Sequence, residues 1–327
     1  MIRFFRQSYI IQYVVIALLC VAIWVPSFIT GNVDVAWRSP VTPLYNLLAD
    51  LLDFWPPLLL LFAMLLMAFE TVFFNSILVA NQIIAKVSTT GGVVFLLVLN
   101  LLPSQTTFYP FLLSLGFLLL FINIMFLTYQ TPHPEQYLLN AGVFLSLATM
   151  CYFHMLLLVV WGIIALSMLH KGSLRLHLIP FVGLLFPYLV LFMIHFLKGD
   201  LLSVWNAYGE FFSELHFSIH GFSWLVVGVL AFLMLVSVMP VFMSQQYSFE
   251  KSIAVRTKMT MTVILLLFGI VMLFLDTDPM LTGVFFLALS ILYSYQLSYL
   301  DKLKWSNITF VVFILLILAS HYYSLFI

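Results

Sequence analysis

Runs of about twenty apolar residues recur along the chain, separated by short polar breaks. Each run is long enough, as a helix, to cross a hydrocarbon core about 30 Å thick. None alternates apolar and polar positions over segments of about ten, as membrane β-barrel strands do. The pattern places spans near 8–29, 56–79, 90–103, 108–129, 137–152, 154–170, 177–197, 222–244, 259–275, 279–299 and 306–327. The third and fifth are short, so the count is ten or eleven. The expected fold is all-α: one polytopic transmembrane helix bundle of about 11 spans over residues 1–327. The first run has too long an apolar region for a secretory leader. No small-residue cleavage site follows it in "AIWVPSFITGN", so it reads as a retained helix.

Two breaks are longer and more polar than the rest. In loop 30–55, Gly31 and Asn32 favour a tight bend, while Pro40 and Pro43 delay helix formation. "PLYNLLADLLDFW" then carries Leu44, Leu47, Leu48, Leu51 and Leu52 against Tyr45, Asn46, Asp50 and Asp53. That spacing predicts an amphipathic helix lying in the membrane interface, anchored by Trp55. In loop 198–221, Trp205, Tyr208, Phe211 and Phe212 interleave with Glu210, Glu214, His216 and His220, which predicts a second interfacial helix.

Charge orients the bundle. With the N-terminus in the cytoplasm, ten of the twelve basic residues fall inside, and only Arg38 and Lys198 fall outside. Eight of the twelve acids fall on the opposite side. Losing one of the short spans would invert half of the chain and spoil this sorting, which favours eleven. Both long loops then face outward, and the cytoplasmic turns are short and basic. Only 7% of residues are charged and mean hydropathy is +1.17, whereas soluble domains carry roughly 25% charged residues. A sizeable soluble domain is therefore excluded. The absence of any basic block argues against nucleic acid. Cys20 and Cys151 lie within apolar runs and read as small core residues.

Candidate chemistry is sparse. Glu70 follows a long apolar stretch, where a mid-membrane carboxylate costs about 2.5–3.5 kcal/mol or more unless paired or hydrated. It is expected to face the bundle interior, either as a functional group or as a protonated clamp between two helices. His154, at the outer end of two short spans, reads as a phosphate or carboxylate contact or as a packing residue. Pro187 is expected to kink its helix and free a carbonyl near Gly183. His216 and His220 stand one helical turn apart with Glu214 near, but no further metal ligand is specified, so no metal is assigned. Asp276 and Asp278 in "LDTDP" read as a structural turn. The chain has no Walker loop, dinucleotide glycine fingerprint, HExxH or GxSxG, and no cofactor is implied. Sparse buried charge and the lack of a visible inverted repeat weigh against an ion-coupled transporter.

Arg3 to Arg6, Asn140 to Phe144, and Gly183 to Pro187 with Tyr188 form a pattern. It resembles a group of multi-pass inner-membrane proteins of Bacteroidota of similar length. An oxygenase label attached to that group finds no histidine cluster at iron-ligand spacing here. The architecture also looks like integral-membrane glycosyltransferases that use polyprenyl-phosphate sugar donors. The shared features are a first span, an outer loop with an early acid, an interfacial helix and many further spans. That resemblance implies Asp34 as the catalytic base and Arg38 as a phosphate fork. The larger outer domain and second acid pair of such enzymes are not evident.

The expectation is a glycosyl or lipid-head-group transferase at the outer face of the bacterial inner membrane. Asp34 would be catalytic, with Arg38, Glu70 and His154 binding substrate, and the partner would be a membrane lipid such as polyprenyl phosphate. The alternatives are a non-catalytic subunit of a cell-envelope complex, with a protein partner, and a lipid or small-solute transporter.

Overall fold

The computed structural model describes residues 2–6, 9–31, 39–52, 55–84, 88–101, 106–129, 131–169, 174–214, 251–273, 282–299 and 303–323. Every regular element among them is helical. In chain order these are α1 (Ile2–Phe5), α2 (Ile10–Thr30), α3 (Pro43–Leu52), α4 (Pro56–Ala80), α5 (Thr90–Leu99), α6 (Pro110–Thr128) and α7 (Glu135–Cys151). A 3₁₀ turn (Phe153–Leu157) leads into α8 (Leu158–Leu169), followed by α9 (Leu174–Lys198), α10 (Leu201–Glu214), α11 (Lys251–Leu273), α12 (Thr282–Tyr299) and α13 (Leu303–Tyr323). Helices lie within ten of the eleven apolar runs; the run 222–244 lies outside the described residues. Among the described residues five helices are long and apolar enough to cross a membrane: α2, α4, α6, α9 and, from Ile253, α11.

Local chemistry sets many of the boundaries. Prolines open α3, α4 and α6, where the first-turn N–H has no intrahelical partner and a fixed φ costs nothing. Gly31 closes α2 with φ +64°, a left-handed conformation that a side chain would oppose. Pro180 and Pro187 both lie inside α9, which nevertheless runs as one helix from Leu174 to Lys198. The expected third span is shorter than its apolar run, because α5 stops at Leu99.

The bundle is layered around α5. All ten α5 residues are buried, with α4 on one side and α12 on another. A second layer, α6 against α7, carries α9 on its far side, and α11 packs on α12. Between apolar helices in lipid, close packing and polar contacts replace the hydrophobic effect as the adhesive. Asn75 in α4 supplies such a contact. It accepts from the Gly92 N–H (3.1 Å) and donates to Ser88 O (3.0 Å), which ties α4 to the start of α5.

Hydrogen bonds sort the helix ends into two groups. At one end the Phe5 carbonyl accepts from the Ser88, Thr89 and Thr90 hydroxyls, and Arg6 Nη2 donates to Leu297 O (2.7 Å). At that same end Lys258 Nζ donates to Asn81 O (3.3 Å) and to Asn81 Oδ1 (3.0 Å). Asn81 Nδ2 in turn donates to Asn123 Oδ1 (2.8 Å), which links α4, α6 and α11. At the other end Ser27 bonds to Thr106, and Tyr45 OH donates to Phe108 O (3.2 Å), seating α3 on the start of α6. These will be called the Phe5 end and the α3 end.

Candidate functional site

At the α3 end, α7 stops at Cys151. Tyr152 is extended (φ −147°, ψ 103°), and the chain resumes as the 3₁₀ turn that carries His154. Two helices from the long loops close over this break. From the first loop, α3 packs against α7. From the second, α10 brings Tyr208 and Phe211 to edge-on contact with Phe153, at 5.0 and 4.9 Å between ring centres. The His154 ring lies 4.8 Å from Tyr152 and 4.7 Å from Phe211. Val41, Met150, Phe153, Tyr188, Val204 and Tyr208 form one buried cluster here, separate from the main core. Tyr188 OH donates to Thr149 Oγ1 (2.8 Å), holding α9 against α7 at the same level. The Tyr208 hydroxyl is buried without a hydrogen-bond partner among the described residues, and burial pushes its phenol well above the usual tyrosine range.

Glu70 is elsewhere. It is fully buried on α4 against α6, with its carboxyl beside the backbone of Gly116. Its Oε1 fills the space that a side chain on Gly116 would occupy, 3.2 Å from an ideal Cβ there. Tyr109, at the start of α6, lies near Glu70. From Tyr109 a ladder of rings runs to His154. Tyr109 stacks near Phe111 (6.3 Å), Phe111 meets Tyr152 edge-on (6.4 Å), and Tyr152 meets His154. Glu70 and His154 therefore lie at opposite ends of one aromatic series and are not joined in one pocket.

Asp34 and Arg38 lie outside the described residues, as do Asp53, His216, His220, Asp276 and Asp278. The loop's exit is described. Ser39 O accepts from Asn46 Nδ2 (2.7 Å) and from Thr42 Oγ1 (3.0 Å), which pins the residue after Arg38 to the first turn of α3. Val41, three residues beyond Arg38, packs in the cluster with Phe153 and Tyr208. Among the described residues no three His, Cys, Asp or Glu side chains group as metal ligands.

Sequence reasoning missed Phe211 as the ring against His154, and missed the Tyr188–Thr149 bond. Tyr188 was visible only as part of the "GLLFPYL" pattern, and nothing in one dimension pairs it with Thr149. Comparison with known proteins finds no matching family model, curated protein or solved structure.

Proposed function

We propose that this chain is a membrane-embedded glycosyl or lipid-head-group transferase that takes its donor from a polyprenyl-phosphate carrier. The observation that carries this reading is the closure of both long-loop helices, α3 and α10, over the helix break that bears His154. Eleven spans with a cytoplasmic N-terminus put this end on the outer side of the bacterial inner membrane, where lipid-carried sugars are presented. In this arrangement Asp34 acts as base and Arg38 grips the carrier phosphate as a fork of donors. His154 adds a contact from the floor. Glu70 stays inside the bundle and acts at a distance, through the α6 end that it packs against.

The test uses the purified full chain in lipid nanodiscs with radiolabelled polyprenyl-phosphate sugar and membrane acceptor lipids. Transfer or donor hydrolysis is expected from the wild type. In Asp34→Asn it is expected to fall by about two orders of magnitude or more, the scale of a lost general base. Equal turnover by wild type and Asp34→Asn, or none by either, overturns the reading.

A second reading, a non-catalytic subunit of an envelope complex, is favoured by α9. Its surface away from α7 is apolar and exposed over most of its length. Co-purification of a stoichiometric membrane partner that is lost when α9 is altered would bring that reading forward.

A further inference from the structure

The two tyrosines of the cluster under α3 and α10 differ in one respect. Their ring centres are 6.2 Å apart, and both side chains are buried. Tyr188 OH has its partner in Thr149 Oγ1. Tyr208 OH is equally enclosed and has no hydrogen-bond partner among the described residues. It does not stand at a rim where water serves it. Val204, Tyr208 and Phe211 recur at i, i+4 and i+7 and form the inward face of α10, while Leu202 and Trp205 on its other side are exposed. The Tyr208 ring is fixed by Phe153 (5.0 Å) and Phe192 (6.0 Å), and a phenylalanine would pack there as well. A buried hydroxyl without a partner destabilises a fold. Packing therefore accounts for the ring at position 208 and leaves its oxygen unexplained.

What the oxygen lacks defines what would complete it. Burial keeps the phenol protonated far beyond neutral pH, so it is a neutral donor whose complement is an acceptor oxygen. Around it are rings and aliphatic carbon, with Val41 bringing the exit of the first long loop into the same cluster. A sugar would carry many hydroxyls into surroundings made mostly of carbon. A phosphate joined to a prenyl chain carries ionised oxygens for the hydroxyl and hydrocarbon for the rings, and an ionised acceptor makes the stronger bond. We propose that Tyr208 is a substrate-contacting residue of the transferase centre: its hydroxyl donates to a phosphate oxygen of the carrier, while Phe153, Phe192 and Val41 hold the start of the prenyl chain. The proposal rests on the transferase reading above and adds to it the group that selects a phosphorylated carrier over the free alcohol. A side chain kept for binding at some cost to the empty fold is a common trade.

The test melts the purified full chain in detergent with polyprenyl phosphate, with free polyprenol and with inorganic phosphate. The wild type is expected to be stabilised by polyprenyl phosphate and not by the other two. In Tyr208→Phe the concentration needed for half of that shift is expected to rise at least about tenfold, the loss of one hydrogen bond to a charged group. Without lipid, Tyr208→Phe is expected to melt at or above the wild type, because it removes an unpaired oxygen. Tyr188→Phe, which breaks a bond that is made, is expected to melt below it. A Tyr208→Phe protein that binds polyprenyl phosphate like the wild type, or that melts as far below it as Tyr188→Phe, overturns the proposal. So does an equal response of the wild type to polyprenol or to inorganic phosphate. The transfer assay separates this proposal from the reading under it. Asp34-dependent transfer that Tyr208→Phe leaves unchanged strikes the role of Tyr208 alone. Tyr208-dependent binding of polyprenyl phosphate without any transfer by the wild type strikes the transferase step alone.

Discussion

Helices α5 and α9 differ as much as two apolar helices in one bundle can. The ten residues of α5 are all buried by protein. The 25 residues of α9 include only two buried ones, Gly183 and Tyr188. Yet both read as hydrophobic sequence through their middles, and neither has a polar face there. In water a helix that is apolar all round must be buried in protein. In a bilayer the lipid covers such a surface equally well, so hydropathy cannot tell a central helix from a peripheral one. What separates them is how they are attached. A polar residue from α4 and a strap of hydroxyls on Phe5 O hold α5. Close main-chain contact, with the single Tyr188–Thr149 hydrogen bond beside it, holds α9. Gly142 of α7 faces Pro180 O, and Gly183 of α9 faces Leu139 O, so closely that a single methyl group would overlap either carbonyl.

The largest effect that would break this comparison is expected at the glycine crossing. Gly142→Leu drives a side chain into the backbone of α9, beyond the ~1–3 kcal/mol of ordinary overpacking, because the obstacle is main chain. Loss of the monodisperse peak in detergent is expected, and an unchanged elution profile would show that α9 is not seated as described. Next comes a matched pair. Leu97→Ala in α5 should lower stability by about 2 kcal/mol or more by opening a cavity. Leu189→Ala, on the exposed side of α9, should stay within ~0.5 kcal/mol. Thermal melting of both proteins in one lipid mixture reads the difference, and equal shifts would erase the distinction between the two helices. Asn75→Ala removes both side-chain bonds to the start of α5 and leaves the Gly92 N–H buried and unmatched, at about 1–3 kcal/mol. Hydrogen exchange at the start of α5 should accelerate while the α9 core stays protected. The smallest effect sharpens the α9 side. Tyr188→Phe deletes one buried hydroxyl bond to Thr149, which costs about 1 kcal/mol.

The fold was legible in the sequence wherever length and composition decide it. Ten apolar runs carry helices, and Pro43 starts α3 as its spacing requires. Glu70 was legible as a residue facing the interior, because hydrocarbon leaves an acid no other place. The site was less legible. That His154 would lie under Phe211 depends on how α10 folds back, and on the turn in which Asp200 N–H donates to His195 O and Asp200 Oδ1 sits 3.1 Å from His195 Nδ1. No periodicity encodes that turn. The separation of Glu70 from His154 was equally invisible. Both are anomalies of one chain, and only the depth of α4 against α6 shows that a row of rings stands between them.

The lysine beneath Asn81 has a consequence for how the molecule is made. Residue 258 leaves the ribosome long after residues 81 and 123, so the two asparagines can pair first, with the two Asn81 oxygens still open. A nascent chain that stops before α11 carries an incomplete joint between its fourth and sixth helices. Delivery of Lys258 closes that joint from outside the early helices, and Lys258 Nζ then caps the carbonyl end of α4. The early half of the bundle is thus a socket whose key is encoded 177 residues downstream, and insertion of the later helices completes the earlier ones.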